Sequence, residues 1–248
     1  MSGHSKWASI KHKKGAKDAK RGKLFSKLVK EITVVARDGG GDLSANASLR
    51  TAVQIARDAN MPAENIERAI KKGTGELPGV NYEEAVYEGY GPGGVAVLIR
   101  VLTDNKNRST AEIRHIFDKR GGSMASPGSV SYLFEKKGFI TVPVDGVNED
   151  TLFALALEAG AEDFKVEGDV FEIYTAPAEF EAVKTALKEE EIKTDLVELT
   201  EVPAAEIPVA GDDARKVLGL LNALEEHDDV QNVYSNCDIP EDIINESE

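Results

Sequence analysis

The residues of this chain best suited to chemistry are cations gathered at one end. Ten of its 30 lysines and arginines fall within the first 30 positions: Lys6, Lys11, Lys13, Lys14, Lys17, Lys20, Arg21, Lys23, Lys27 and Lys30. Asp18 is the only acid there, so the stretch carries +9, and residues 31–248 carry −23 within a formal net charge of −14. Charge segregated this sharply predicts one end that meets phosphate backbone while the acidic remainder stays off it. Trp7 adds a flat π-face on which a base can stack. The plainer alternative is a solvated lysine-rich helix. The aromatic residue and the position at the chain end favour nucleic-acid contact.

A second polar cluster is Asp104-Asn105-Lys106-Asn107-Arg108-Ser109, between a predicted strand and a predicted helix. Two readings fit it. Asn105, Lys106 and Arg108 can contact a ligand or nucleic acid at the sheet's carboxyl edge, where such loops often work. Alternatively, Asn107 or Ser109 caps the helix and Arg108 is solvated.

Motifs that would signal an enzyme dissolve on inspection. Gly89-x-Gly91-x-x-Gly94 spells the dinucleotide fingerprint, but Val95-Ala96-Val97-Leu98-Ile99 follows it, a β-branched strand where a phosphate-binding helix is required. Pro92 suits a hairpin turn instead. Gly22-Lys23 has no P-loop spacing before it, and Leu24 stands where a magnesium-binding hydroxyl would be. The four histidines (4, 12, 115 and 227) are dispersed, with no partner at metal-ligand spacing, and Cys237 is the only cysteine. No disulfide, multi-thiolate zinc site, cofactor or nucleophile–base pair is expected.

These groups need elements to hold them. Apolar residues at helical spacing (Leu24, Phe25, Leu28, Ile32, Val35) predict a helix over 17–37, stopped by three glycines. Two more follow at about 44–59 and 62–73, joined by the tight turn Asn60-Met61-Pro62. Residues 1–16 read as a mobile tail. Strands are expected at 86–90, 95–102 and 130–134, with a helix at about 108–120 between the last two. Residues 137–202 then carry strand, helix, strand, strand, helix, strand, the split βαβ order of the ferredoxin-like fold. A helix at about 212–226 and a strand at 230–234 complete the same topology with residues 82–134.

The expected class is α+β: an N-terminal three-helix domain followed by two ferredoxin-like α/β domains, one inserted into the other. Its parts are 1–77 (basic tail and three helices), 78–136 with 203–240, the insert 137–202, and an acidic tail at 241–248. The last eleven residues hold five acids and no base, and read as frayed. At 41% hydrophobic and 30% charged the chain is globular rather than disordered. It contains neither a secretion signal nor an apolar run that spans a membrane, which points to the cytoplasm.

Gly3-His4-Ser5-Lys6-Trp7 with Ile10-Lys11, Tyr87-Glu88-Gly89-Tyr90-Gly91-Pro92-Gly93-Gly94, and Leu102-Thr103-Asp104-Asn105-x-Asn107-Arg108 closely resemble the YebC/PmpR family. Gly121-Gly122 and the run from Gly128-Ser129-Val130 to Phe134 continue the likeness, and Ser109 replaces a common threonine. The resemblance implies a three-domain cytoplasmic protein of a kind described as a probable transcriptional regulator that binds DNA. It also implies a rival role, since relatives include mitochondrial translational activators and bacterial proteins tied to stalled ribosomes. It supplies no settled list of binding residues.

The residues lean away from base-specific DNA reading. A recognition helix presents its N-terminal residues to base edges, and the third helix begins with Glu64 and Glu67. Only Arg68, Lys71 and Lys72, at its far end, suit backbone contact. The sequence therefore predicts a non-enzymatic regulator of gene expression that binds nucleic acid. DNA regulation is one form of it, and RNA or ribosome association the alternative.

Overall fold

The structure, a computed structural model, describes residues 18–240 and 243–244, with side chains from Arg21 onward. The predicted mobile tail, 1–16, lies outside the described residues.

The apolar stripe predicted for the first helix makes α1 (Asp18–Gly39) the spine of the helical head. Leu28, Ile32 and Ala36 bury against Leu49, Val53 and Ala56 of α2 (Ala47–Asp58) and Ile66 and Ala69 of α3 (Ala63–Gly73). Asn46 caps α2 by accepting the Leu49 N–H, and its amide donates to the carbonyls of Val35 and Gly40, tying α2 to the end of α1. Asn60, at φ 58°, turns the chain between α2 and α3. At Gly73 a Cβ would run into the Thr33 carbonyl oxygen, so only glycine lets the last turn of α3 cross α1 this closely.

The first sheet grows from a hairpin. β1 (Glu83–Tyr90) pairs antiparallel with β2 (Ala96–Thr103), closed by the Pro92–Gly94 turn in which Gly93 and Gly94 take positive φ. The predicted turn stands in place of a dinucleotide loop. α4 (Lys106–Lys119) follows, then β3 (Ser123–Met124). Val97, Ile99 and Val101 of β2 face Ile113 and Phe117 of α4, while Ala96 and Leu98 face the other way onto Val130, Phe134 and Tyr234. Burial on both faces explains the continuous apolar run of β2.

The strand expected at 130–134 does not form. Glu88, buried in β1, accepts N–H bonds from Gly128, Val130 and Ser131, curling this segment into a loop and a short 3-10 turn. Those backbone donors are satisfied by a carboxylate rather than by a strand ladder. Phe134 instead opens β4 (Phe134–Pro143), which runs through the 136/137 boundary.

The second sheet comprises β4, β5 (Ala161–Glu167), β6 (Val170–Thr175) and β7 (Leu196–Pro203), with α5 (Glu149–Glu158) and α6 (Phe180–Glu189) on one face. Its order, β5-β6-β4-β7, is the split βαβ arrangement. After β8 (Ile207–Pro208), α7 (Gly211–Glu225) and β9 (Val230–Ser235) return to the first sheet, whose order is β3-β1-β2-β9. The hairpin therefore occupies the centre of the first sheet, whose spatial arrangement matches that of the second except that β1, the counterpart of β6, comes first in the chain. β10 (Cys237–Asp238) pairs with β8.

The frayed C-terminal tail is corrected in part. Ile239, Ile243 and Ile244 are buried in the core shared by α4 and α7, because three isoleucines among the acids outweigh the acids' preference for water. Residues 241–242 and 245–248 lie outside the described residues.

Candidate nucleic-acid interface

Of the predicted phosphate-binding residues, Lys6, Trp7, Lys11, Lys13, Lys14 and Lys17 lie outside the described residues, and Lys20 is described in backbone only. The remaining arm cations sit on α1. The Arg21 guanidinium donates to the Asn60 carbonyl at 3.3 Å and lies 5.4 Å from the centre of the Phe25 ring.

Lys23, Lys27 and Lys30 repeat at helical spacing and form one face of α1. That face meets the carboxyl end of α7. Lys23 Nζ donates to the Glu226 carbonyl at 3.0 Å, Lys27 Nζ to that of Glu225 at 2.8 Å, and Lys30 Nζ to that of Asp228 at 3.0 Å. The end of a helix leaves carbonyls unpaired and partially negative, so ammonium groups complement it. These lysines dock the head on the first sheet's layer.

Asp229, the last residue of the link from α7 to β9, is the centre of this contact. Its side chain is 5% exposed. Oδ1 accepts from Lys30 Nζ at 2.6 Å; Oδ2 accepts from Arg108 Nη2 at 2.8 Å, Ser109 Oγ at 2.7 Å and Thr103 Oγ1 at 3.1 Å. Burial alone would raise its pKa, but the bonds from Lys30, Arg108 and Ser109 outweigh it and hold the carboxyl well below the usual range.

The loop after β2 serves the same junction. Asn105 is the cap of α4, accepting the Arg108 N–H at 3.1 Å, a role expected of Asn107 or Ser109. Lys106 pairs with Glu83 at 2.8 Å, and Arg108 with Asp104 and Asp229, each at 2.8 Å. Ser109 is fully buried on Asp229 and Thr103. The density of cations, which exceeds what capping needs, is thus accounted for by ion pairs within the sheet layer, one of which, Arg108–Asp229, meets Lys30 of the head.

Sequence spacing gives His227 no partner, yet tertiary folding brings it to Glu112 and Asp229. Its Nδ1 accepts the Asp229 N–H at 3.1 Å, which assigns the proton to Nε2, 2.9 Å from Glu112 Oε2. The three groups have ligand atoms within 4.8 Å of one another. With the Asp229 oxygens already on Lys30 and Arg108, and with that tautomer, the set fits an ion-pair network better than a cation. Nothing in sequence spacing marks Glu112, His227 and Asp229 as neighbours.

Above this junction lies an open cleft of about 1080 Å3 between head and sheet layer. The head contributes Lys23, Phe25, Lys30, Asn65, Arg68 and Lys72; Tyr82, Asp104, Arg108, Glu112 and the 227–229 turn form the other side. Arg68 and Lys72, read from sequence as backbone contacts only, join the α1 cations here. Among the described residues, no helix is long and apolar enough to cross a membrane.

Comparison with known proteins agrees with this architecture over almost the whole chain. The pattern of the TACO1/YebC protein N-terminal domain matches residues 5–76, and that of the TACO1/YebC second and third domain matches 82–237. A "Probable transcriptional regulatory protein" of Desulfatibacillum aliphaticivorans is 58% identical over 246 residues, covering 99% of this chain and 100% of that protein. One of the same name from Carboxydothermus hydrogenoformans is 56% identical over 242 residues, covering 96% and 99%. The crystal structure of a conserved hypothetical protein, Aq1575, from Aquifex aeolicus superposes with a TM-score of 0.81 at 51% identity, covering 90% of this chain and 92% of that one. With matches of this extent in both sequence and fold, the chain belongs to the TACO1/YebC family.

Proposed function

We propose that this chain regulates gene expression by binding nucleic acid, without catalysing a reaction, and that its N-terminal cations supply most of the affinity. The observation that carries this is the segregation of charge: +9 in the first 30 residues against −23 in the rest. An acidic molecule approaching a polyanion is repelled everywhere except where such an arm leads. The name of its relatives, probable transcriptional regulatory protein, supports a regulatory role and makes DNA the first target to test.

RNA is the second reading, and α3 favours it. Its first turns carry Glu64 and Glu67, each tied back to its own helix by Arg68 at 2.8 Å and Lys71 at 2.6 Å. A helix with that face in a major groove would set carboxylates against phosphates. Backbone tracking with base stacking, as on structured or single-stranded RNA or at a ribosome, asks less of it.

Salt-dependent binding tests the proposal. If five to seven arm cations pair with phosphate, log affinity for duplex DNA falls with log salt at a slope of about −5 to −6, and less steeply for single strands. Deleting residues 1–20 removes most of that slope and leaves thermal stability nearly unchanged. Equal slopes with and without the arm would overturn the assignment. Trp7→Ala separates the two targets: a loss of about 1–3 kcal/mol on RNA with duplex DNA unaffected marks stacking on an unpaired base. A loss on one duplex sequence alone marks sequence-specific DNA binding.

A further inference from the structure

We infer that the cleft between the helical head and the first sheet is a seat for an unpaired RNA strand, entered from the basic arm. The inference rests on the proposed nucleic-acid function and gives it a second contact surface, one that distinguishes single strands from duplexes.

Charge is distributed unevenly across the cleft. On the sheet side Lys30 and Arg108 pair with Asp229 and Asp104, while Glu112, beside His227, and the exposed Asp228 add carboxylates to that wall. On the head side Lys72 is exposed and has no side-chain partner among the described residues. Arg68 is 56% exposed, with only the exposed Glu64 beside it, and Lys23 Nζ touches a carbonyl rather than a carboxylate. Lys72 and the exposed Arg68 therefore place positive charge along the head-side rim, where a phosphodiester chain would run.

Continuity fixes the direction. Gly22, Lys23 and Phe25 line the cleft from the second turn of α1, and residues 1–20, with six of the ten cations, precede them directly in the chain. A strand held by the arm is delivered to this rim. The volume of about 1080 Å3 lies just above the roughly 300–1,000 Å3 typical of ligand pockets. Two aromatic rings line it, each with a cation nearby: Phe25 with Arg21 at 5.4 Å, and Tyr82 with Lys30 at 5.6 Å. Unpaired bases stack on such rings, whereas a duplex keeps its bases stacked internally and offers the cleft only its phosphates.

The test compares three proteins on two probes. Full-length chain, the Arg68→Ala/Lys72→Ala double variant and the 1–20 deletion are titrated with a single-stranded RNA of about 12 nucleotides and with the same sequence as a duplex. The double variant changes two exposed side chains, so its melting temperature stays within error. Its affinity for the single strand is expected to fall about 5- to 20-fold, with a salt slope shallower by about 1.4 for two lost phosphate contacts. Duplex affinity changes less than two-fold. Hydrogen exchange at Tyr82 and the last turn of α3 slows when the single strand binds. Equal losses on both probes, or no loss while the deletion abolishes binding, overturn the cleft assignment and leave the arm's role standing. No salt-dependent binding of the unaltered protein to either probe overturns both.

Discussion

Glu172 and Asp229 are both buried carboxylates, and their surroundings drive them in opposite directions. Asp229 is met by two cations and two hydroxyls and stays ionised. Glu172, at 0% exposure on β6, has one bond, from the Tyr174 hydroxyl at 2.8 Å, and its Oε1 has no partner. Burial pushes its pKa up to about 7, against the opposing pull of the Tyr174 bond. The folded carboxyl holds its proton more tightly than the unfolded one at 4.5, so the native state binds the extra proton between these values. Stability contributed by that proton is full below the lower value and is lost as pH rises through about 7. In Glu172→Gln this loss is absent. Urea melts should show the variant gaining about 1–3 kcal/mol on the wild type between pH 5 and pH 8. A difference independent of pH would mean that Glu172 is ionised in the fold.

α1 serves two partners from opposite faces. Leu28, Ile32 and Ala36 hold the head's own core, while Lys23, Lys27 and Lys30 reach the end of α7. The first contact is apolar and internal to the head; the second is polar and crosses to the sheet layer. Polar contacts of this kind each contribute about 1 kcal/mol or less net where water competes, and somewhat more at the buried Asp229. Replacing Lys23, Lys27 and Lys30 together by alanine should therefore release the head without unfolding it. Small-angle scattering would register a larger radius of gyration, and the circular dichroism of the helices would hardly change. An unchanged radius would show that other contacts suffice to dock the head.

At the scale of the molecule, the chain leaves the first sheet's layer at Phe134 and returns at Pro203, and these two residues are register partners on β4 and β7. Between them Ile140, Val142, Leu152, Ile173, Val183 and Leu187 close a core of their own. Residues 134–203 expressed alone are expected to unfold cooperatively, since they contain a complete sheet, two helices and that core. A fragment without a sigmoidal melt would mean that the insert depends on its host. Limited proteolysis of the whole chain should spare Lys136 and Lys137, which lie inside the β4–β7 ladder, and cut instead in the loops on either side.

Local patterns in the sequence determined the elements, because hydrophobic period and turn residues act over a few positions. The stripe from Leu24 to Val35, the β2 run after Gly94 and the split βαβ order of the insert could all be read this way. So could the family, through motifs that are contiguous. The charged arm was equally legible, since net charge is a sum that needs no fold. Tertiary structure decided the rest, wherever an interaction joins residues far apart. Val130 to Leu133 have strand-like composition, but Glu88, some 40 positions earlier, takes the N–H groups of Val130 and Ser131. Lys23 and Lys27 look like free cations until α7 arrives, about 200 positions later, with its unpaired carbonyls. Arg108, Ser109 and Lys30 share one carboxylate, Asp229, that no spacing rule connects to any of them. A charge in sequence has a sign but no partner; the fold supplies the partner, and with it the choice between holding the molecule together and reaching outward.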